Sequence, residues 1–268
     1  DMAADNVVRA HMMTSMQEAS IPADTEFTLT VVSNLGTWSK SFDLEKSVEL
    51  GAGERSVIKL NSKGWKVPTG DGTQTNPYIL RTAEDLKYMS SKLGSEVKYV
   101  AMVNDIDASS IETWANISDS KPLDFNGNDR TIHNFAPTTF NSSYSGFVGV
   151  LKGKIANLNM VDPNIKGGSG ACGIVCGYLG QANANSYGEL ENVHVVGGTI
   201  NGFAKGVGGM VGVLGSGRIS RCSADVSVSS TKDGVGGLVG YYNDGSADNV
   251  CEISDCWTSG EVKSDMKK

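Results

Sequence analysis

Asp105 and Asp107 stand two residues apart in "NDID". Carboxylates so spaced could ligate calcium or share acid–base work. Ile106 between them favours a strand that ends in a solvated turn. Catalysis would also need a Lys or Arg base from elsewhere, and no motif places one. "DFNGND" (124–129) mimics the start of a calcium loop. An EF-hand wants Gly at its sixth position and Glu at its twelfth. Here Gly127 is fourth and Phe135 twelfth, so a hairpin turn around Asn126-Gly127 is the preferred reading. "KGVGGMVGVLGSG" has the glycines of a phosphate loop, but lacks the Gly-Lys-Ser/Thr ending and a following helix. No G-x-S-x-G elbow occurs, and His133 and His194 fall within strand-like stretches. The sequence therefore predicts no catalytic residue, no metal site and no cofactor.

Five cysteines, at 172, 176, 222, 251 and 256, are an odd number, so not all can pair within the chain. "CGIVC" and "CEISDC" do not have zinc-ligand spacing, and the histidines at 11, 133 and 194 are scattered. Structural, mostly buried thiols are expected. The formal net charge of −7 disfavours nucleic acid as a partner and leaves no polybasic membrane patch. No apolar run is long enough for a transmembrane helix. The chain opens "DMAADNVV" with no signal peptide, and reads as a mature or truncated fragment.

Residues 1–66 read as β structure. "TEFTLTVV" alternates, with Phe27, Leu29 and Val31 on one face. "GTWSKSFDL" repeats the pattern with Trp38, Phe42 and Leu44, and "RSVIKL" adds Ile58 and Leu60. "NVVRAHMMTSM" fits a strand or a short helix, and the strand is preferred. "KVPTGDGTQTNP" marks a boundary. The chain thus divides into residues 1–66 and 67–268. The second part opens with a strand and one helix. Thr82 with Asp85 gives it an N-terminal cap pattern, and Leu86, Met89 and Leu93 share a face.

Gly is 33 of 268 residues, above the usual ~7 %, and it recurs in phrases. "GKIANLNMV", "GELENVHVV", "GRISRCSAD" and "CEISDCWTS" align, and "RTIHNFA" reads as an earlier, degenerate copy. "GFVGVL", "GIVCGYL", "GMVGVL" and "GLVGYY" precede them in turn. A period within the range of about 20–50 residues signals stacked repeats. One copy cannot bury its apolar side, whereas a stack can. This predicts a parallel β-solenoid. In each copy Ile155 and Leu158, or their equivalents, have opposite parity. A bend after Asn157 would turn both inward, which predicts a bend ladder of Asn134, Asn157 and Asn192, with Arg221 and Asp255 as departures.

"GVGGMVGVLGSGRISRC" and "GVGGLVGYYNDGS…ISDC" resemble the GLUG repeat of bacterial surface proteins. "GDGTQTNPYILRTAEDLKYM…VAMVNDIDAS…DFNGNDRTIHNF" is similar to the usual lead-in of that family, so the resemblance covers roughly 69–262. It implies an all-β, right-handed parallel β-helix with an N-terminal capping helix. "IPADTEFTLTVVSNLGTWSKSFDL…VELGAGERSVIKLN" is similar to the last strands of fimbrillin-like β-sandwich domains, which are fimbrial and cell-adhesion proteins of Gram-negative gut bacteria. That likeness covers about 6–61. It implies a small antiparallel sandwich portion and a lipoprotein-anchored protein at the outer surface of the cell.

Cys222 and Cys256 fall at equivalent positions of successive copies. Stacking would bring them within disulfide range, or they are two small buried hydrophobes, and the latter is preferred. Beside the inward pair lies an outward column of Asn159, His194, Ser223 and Trp257. Trp257, with Tyr241, Tyr242 and Tyr178, could form a sugar-stacking or protein-contact patch. The expected function is a non-catalytic, adhesin-like surface protein that binds a glycan or protein on a host or neighbouring cell. The alternatives are a β-helix polysaccharide lyase or hydrolase and a structural spacer.

Overall fold

The chain divides into two compact units, residues 1–69 and 70–268. The computed structural model describes, in the first unit, the backbone of six strands, and in the second, residues 70–92, 98–115, 122–140, 143–181, 186–243 and 250–265.

The six strands of the first unit pair antiparallel. Val7–Met13 pairs with Arg55–Asn61, Ala19–Ile21 with Val48–Leu50, and Glu26–Ser33 with Gly36–Asp43. The opening stretch is thus a strand. In the register of the last pair, Phe27 lies opposite Phe42 and Val31 opposite Trp38.

The second unit is mostly β with one short helix, and its strand ladders are parallel. One long sheet runs through Tyr78–Leu80, Lys98–Met102, Leu123–His133, Gly153–Val161, Gly188–Gly202, Gly217–Ser220 and Cys251–Ser254. Val148–Leu151, Cys176–Leu179, Val211–Leu214 and Val239–Tyr242 form a second sheet. A third holds Cys172–Gly173, Val207–Gly208 and Val235–Gly236. The chain visits the sheets in turn and comes back one strand further along, so each coil lies on the last as in a solenoid.

The bend ladder is present. Asn157, Asn192, Arg221 and Asp255 have φ of 54°, 53°, 53° and 54°. Left-handed backbone is costly for most L-residues and cheapest for Gly, Asn and Asp. Here it turns Ile155 and Leu158, Leu190 and Val193, and Ile219 and Cys222 into one core, and all six are essentially buried.

Two expectations need correction. "RTIHNFA" is not the equivalent of "KIANLNM". Ile132 pairs with Met160, and Phe125 pairs with Ile155. Asn134, with φ 55°, therefore lies beyond the first bend, where Asp162 (φ 52°) and Gly197 (φ 71°) make a second ladder. The other correction concerns "DFNGND", which is not a hairpin. Leu123–His133 runs on as one strand, paired in parallel on both edges, with a bulge between Asn126 and Arg130. Asn128 and Asp129 take φ of 51° and 57° there, and Asn126 Oδ1 accepts a hydrogen bond from Asn128 N at 3.0 Å. Parallel neighbours hold the chain's direction, so the Asn-Gly signal is spent on a bulge rather than a reversal.

The glycine phrases mark close approaches. Gly173, Gly208 and Gly236 stack in the third sheet. A Cβ on each would lie 2.2, 1.9 and 2.1 Å from the carbonyl oxygen of Cys176, Val211 and Val239, respectively. No side chain fits such a corner.

Helix Ala83–Lys92 closes the first coil. Thr82 Oγ1 accepts from Asp85 N at 3.2 Å, and Asp85 Oδ2 accepts from Thr82 N at 3.0 Å and Arg81 N at 2.8 Å. Leu86 and Met89 are buried, while Leu93 lies outside the described residues. Behind the helix, Trp114 packs on Phe135 and Phe147 at centroid distances of 4.9 and 5.5 Å, and its indole N–H donates to Phe147 O at 2.9 Å. Phe125 meets Phe147 edge-on at 5.4 Å. This aromatic cluster was not singled out from the sequence.

Candidate functional site

The long sheet carries side-chain columns along the stacking axis, because parallel in-register strands place equivalent residues about 4.8 Å apart. The outward column is in register as expected: Thr131, Asn159, His194, Ser223 and Trp257 follow one another on successive strands. Trp257 is 58 % exposed. His194 Nδ1 lies 2.8 Å from Ser223 Oγ, and its Nε2 lies 3.1 Å from Asn192 Oδ1.

Beside it, the bend residues form an amide ladder. Asn157 Nδ2 donates to Asn126 Oδ1 at 3.1 Å, and Asn192 Nδ2 donates to Asn157 Oδ1 at 3.0 Å and to Asp129 Oδ1 at 3.2 Å. Asn159 Nδ2 donates to Asp129 O at 3.2 Å. The result is a partly exposed strip of amide and imidazole groups, with the Ser223 hydroxyl buried against His194 and an exposed indole at one end. Such a strip can offer hydrogen bonds to hydroxyl-rich ligands and a flat face for stacking.

A further column alternates in charge. Asp124, Lys154, Glu189, Arg218 and Glu252 stack in order. Lys154 Nζ lies 3.8 Å from Glu189, and Arg218 Nε lies 3.6 Å from Glu252. Glu191 accepts from both Lys154 and Arg221, and those bonds hold its carboxyl below the usual range. Asp124 is shifted upward, chiefly because burial strips it of water; Lys154 opposes that shift.

The aromatic candidates fall on two sheets. Tyr178, Val213 and Tyr241 form one column of the second sheet. Tyr178 packs edge-on to Tyr144 at 5.7 Å and receives a hydrogen bond from Asn243 Nδ2 at 2.5 Å. Lys205 Nζ lies 3.8 Å above the Tyr241 ring. Tyr242 pairs with Leu214 and lines a concavity of about 390 Å³ with Leu214, Val239, Cys251 and Ile253. Trp257 belongs to the long sheet, so the four are divided between two sheets. A further hollow of about 320 Å³, lined by Asn164, Lys166, Asn201, Phe203 and Ser229, carries no motif in the sequence. Phe203, 48 % exposed at its rim, was the available signal.

The acidic motifs are used structurally. Asp105 Oδ1 accepts from Thr131 N at 2.9 Å. Asp107 Oδ1 accepts from Ser109 N at 3.0 Å and Asn134 Nδ2 at 3.1 Å. These bonds, Ser109's backbone first, lower its pKa. Among the described residues no three His, Cys, Asp or Glu are grouped to hold a metal. Cys222 and Cys256 do stack: Cys222 N donates to Cys256 Sγ at 3.4 Å, and both thiols are free. Burial pushes the Cys172 and Cys222 thiols up to about 12, and raises Cys176 as well. Cys172, Cys176 and Cys222 are buried, and Cys251 and Cys256 are half-buried.

No family model matches the chain. It is 26 % identical over 237 residues to halomucin of Haloquadratum walsbyi, which covers 73 % of this chain and 2 % of that protein. It is 31 % identical over 136 residues to a protein of Evansella cellulosilytica named "Putative Gly-rich membrane protein", covering 47 % of this chain and 15 % of that one. The chain thus spans a small part of both relatives. Among solved structures it matches a "putative immunoglobulin A1 protease" from Bacteroides ovatus, with a TM-score of 0.53 and 26 % identity over 70 % of this chain and 69 % of the other. One of the two relatives is named for a membrane. Among the described residues no helix is long and apolar enough to cross a membrane, which says nothing of β-barrels.

Proposed function

We propose that this chain is a non-catalytic, adhesin-like module of the outer cell surface, which binds a glycan or protein on a host or neighbouring cell. In this reading the stack is a right-handed parallel β-helix of the GLUG type, and the first unit is the closing part of a fimbrillin-like sandwich. The observation that carries the proposal is the column that runs from the partly exposed Asn159 and His194 over the buried Ser223 to the exposed indole of Trp257. Asn159 and His194 keep part of their surface open, whereas Asp105, Asp107, Glu189, Glu191 and Glu252 are engaged in hydrogen bonds or ion pairs. The Evansella relative, named a membrane protein, fits a surface address.

The charged column favours a second reading. A lyase needs a base beside carboxylates, and Lys154 stands between Asp124 and Glu189. The signs alternate along the stack, however, and Lys154 is engaged by Glu189 and Glu191, so an ion-pair ladder explains the column without catalysis.

The test is a glycan and matrix-protein screen with wild type and Trp257→Ala. An aromatic anchor is typically worth ~2 kcal/mol or more, so Trp257→Ala should weaken the selected ligand at least about tenfold. Unchanged affinity would move the site elsewhere, with Phe203→Ala the next variant. Release of unsaturated uronides from polysaccharide would establish the lyase reading. Binding to nothing, without release, would leave a spacer.

A further inference from the structure

The hollow beside Phe203 is lined in a way that specifies a ligand. It lies on the side of the stack, beyond the second bend, at Gly197, from the column that ends in Trp257. Lys166, Asn201, Ser229 and Lys263 stack there in order on successive strands, so its walls come from several coils. Gly202 ends its strand against the core, where a Cβ would lie 2.2 Å from Val207 Cγ2, and Phe203 follows it into a short loop. Ser230 Oγ donates to Ala204 O and Thr231 N donates to Gly202 O, both at 3.4 Å. These bonds tie the loop to the next coil and hold Phe203 at the rim, with 48 % of its surface open.

The polar lining is rich in unused donors. Asn201 Oδ1 accepts from Ser229 Oγ, and Asn164 Oδ1 accepts from Thr199 Oγ1 at 3.0 Å. Both amide oxygens are thus occupied, while both amide nitrogens keep donors with no partner among the described residues. Lys166 Nζ is in no ion pair or hydrogen bond among the described residues, whereas Lys263 is paired with Glu261 at 2.8 Å. Three free donor groups, one of them a cation, call for acceptors, and an exposed phenyl ring calls for a flat apolar face. A sugar ring offers both, with hydroxyl oxygens around it and C–H groups on its face. The free cation adds a carboxylate. One is enough: Asp265 also lines the hollow and would repel a polyanion, so sulfated chains fit less well. The volume of about 320 Å³ stands at the small end of ligand sites and suits a single sugar residue. We propose that this hollow binds one acidic sugar residue, with its ring against Phe203, its carboxylate on Lys166 and its hydroxyls on Asn164 and Asn201. It is a second site, independent of the strip that ends in Trp257.

The experiment titrates the isotope-labelled full chain and follows backbone amide shifts by NMR. The probes are methyl galacturonide and the methyl glycoside of N-acetylneuraminic acid, which present the same carboxylate from two sources. Methyl galactoside and acetate are the controls. At least one acid should saturate in the millimolar range and shift amides within residues 199–206 and 227–231. The galactoside, which lacks the carboxylate of the galacturonide, should bind at least about fivefold more weakly, the effect of one charge-assisted contact. Acetate, which lacks the ring, should not saturate. Lys166→Gln should remove the preference for acid and leave the galactoside as it was. Phe203→Ala should weaken acid and galactoside alike, by about fivefold or more. Circular dichroism melts check that the variants fold; if Phe203→Ala does not, the loss of acid preference in Lys166→Gln decides. No saturation by either acid, equal affinity for galacturonide and galactoside, acetate binding as well as the acids, or shifts confined to other residues would overturn the proposal. Trp257→Ala should leave all these affinities unchanged. An acidic sugar lost with Trp257→Ala and kept with Phe203→Ala would belong to the strip, and would overturn the proposal while upholding the strip.

Discussion

At the residue scale, the bend position is defined by backbone conformation first and side chain second. Arg221 and Asp255 hold the same left-handed φ as Asn157 and Asn192, so the coil imposes the bend even where asparagine is absent. Asparagine adds the ladder, because Asn157 bonds to both Asn126 and Asn192. The two contributions can be separated. Asn157→Gly keeps the backbone and loses two side-chain hydrogen bonds, at a cost of about 1–2 kcal/mol. Asn157→Val loses the same bonds, forces a β-branched residue into left-handed space, and should cost about 1–2 kcal/mol more. Urea unfolding followed by far-ultraviolet circular dichroism would measure both. Equal losses would mean that the ladder, not the backbone, dominates. The acidic motifs read differently at this scale too, since Asp105, Asp107 and Asn126 each accept a hydrogen bond from a backbone N–H.

At the element scale, the first helix is short and depends on its start. Thr82 and Asp85 bond reciprocally, and Asp85 also accepts from Arg81 N. Thr82→Ala should cost about 1 kcal/mol, and Thr82→Ser much less. Thermal melting of the two variants would compare them; a melt of Thr82→Ala identical to wild type would show that packing of Leu86 and Met89 alone holds the helix. The cap, the apolar face and the strand columns were all legible, because each depends on residues near in sequence or repeated at fixed places. The register of the first coil was not. "RTIHNFA" matches the later bend phrase letter by letter, yet Ile132 pairs with Met160. The actual match is Phe125 with Ile155, an aromatic in an aliphatic column, beside the cluster of Trp114, Phe135 and Phe147. Likewise Asn126-Gly127 announces a turn, but only the strands on both sides decide between reversal and bulge. The polar strip was legible in part: its register followed from the repeat, but the division of the tyrosines and Trp257 between two sheets depends on where each coil bends.

At the scale of the whole molecule, stability should be close to a sum over coils and their contacts, as expected for a quasi-one-dimensional stack. The same chemical change should therefore cost different amounts along one column. Ile219 and Ile253 are neighbours in the inward column, one fully buried and the other half-exposed. Ile219→Ala removes a side chain enclosed between Leu190 and Ile253 and leaves a cavity, at about 2–4 kcal/mol. Ile253→Ala removes a side chain that solvent already reaches, and should cost under about 1.5 kcal/mol. Native-state hydrogen exchange would sharpen the contrast: amides of Cys251–Ser264 should open at lower free energy than those of Gly188–Gly202, because unzipping the outermost coil exposes one interface whereas opening the middle breaks two. Equal costs for Ile219→Ala and Ile253→Ala would mean that the stack unfolds as one cooperative block.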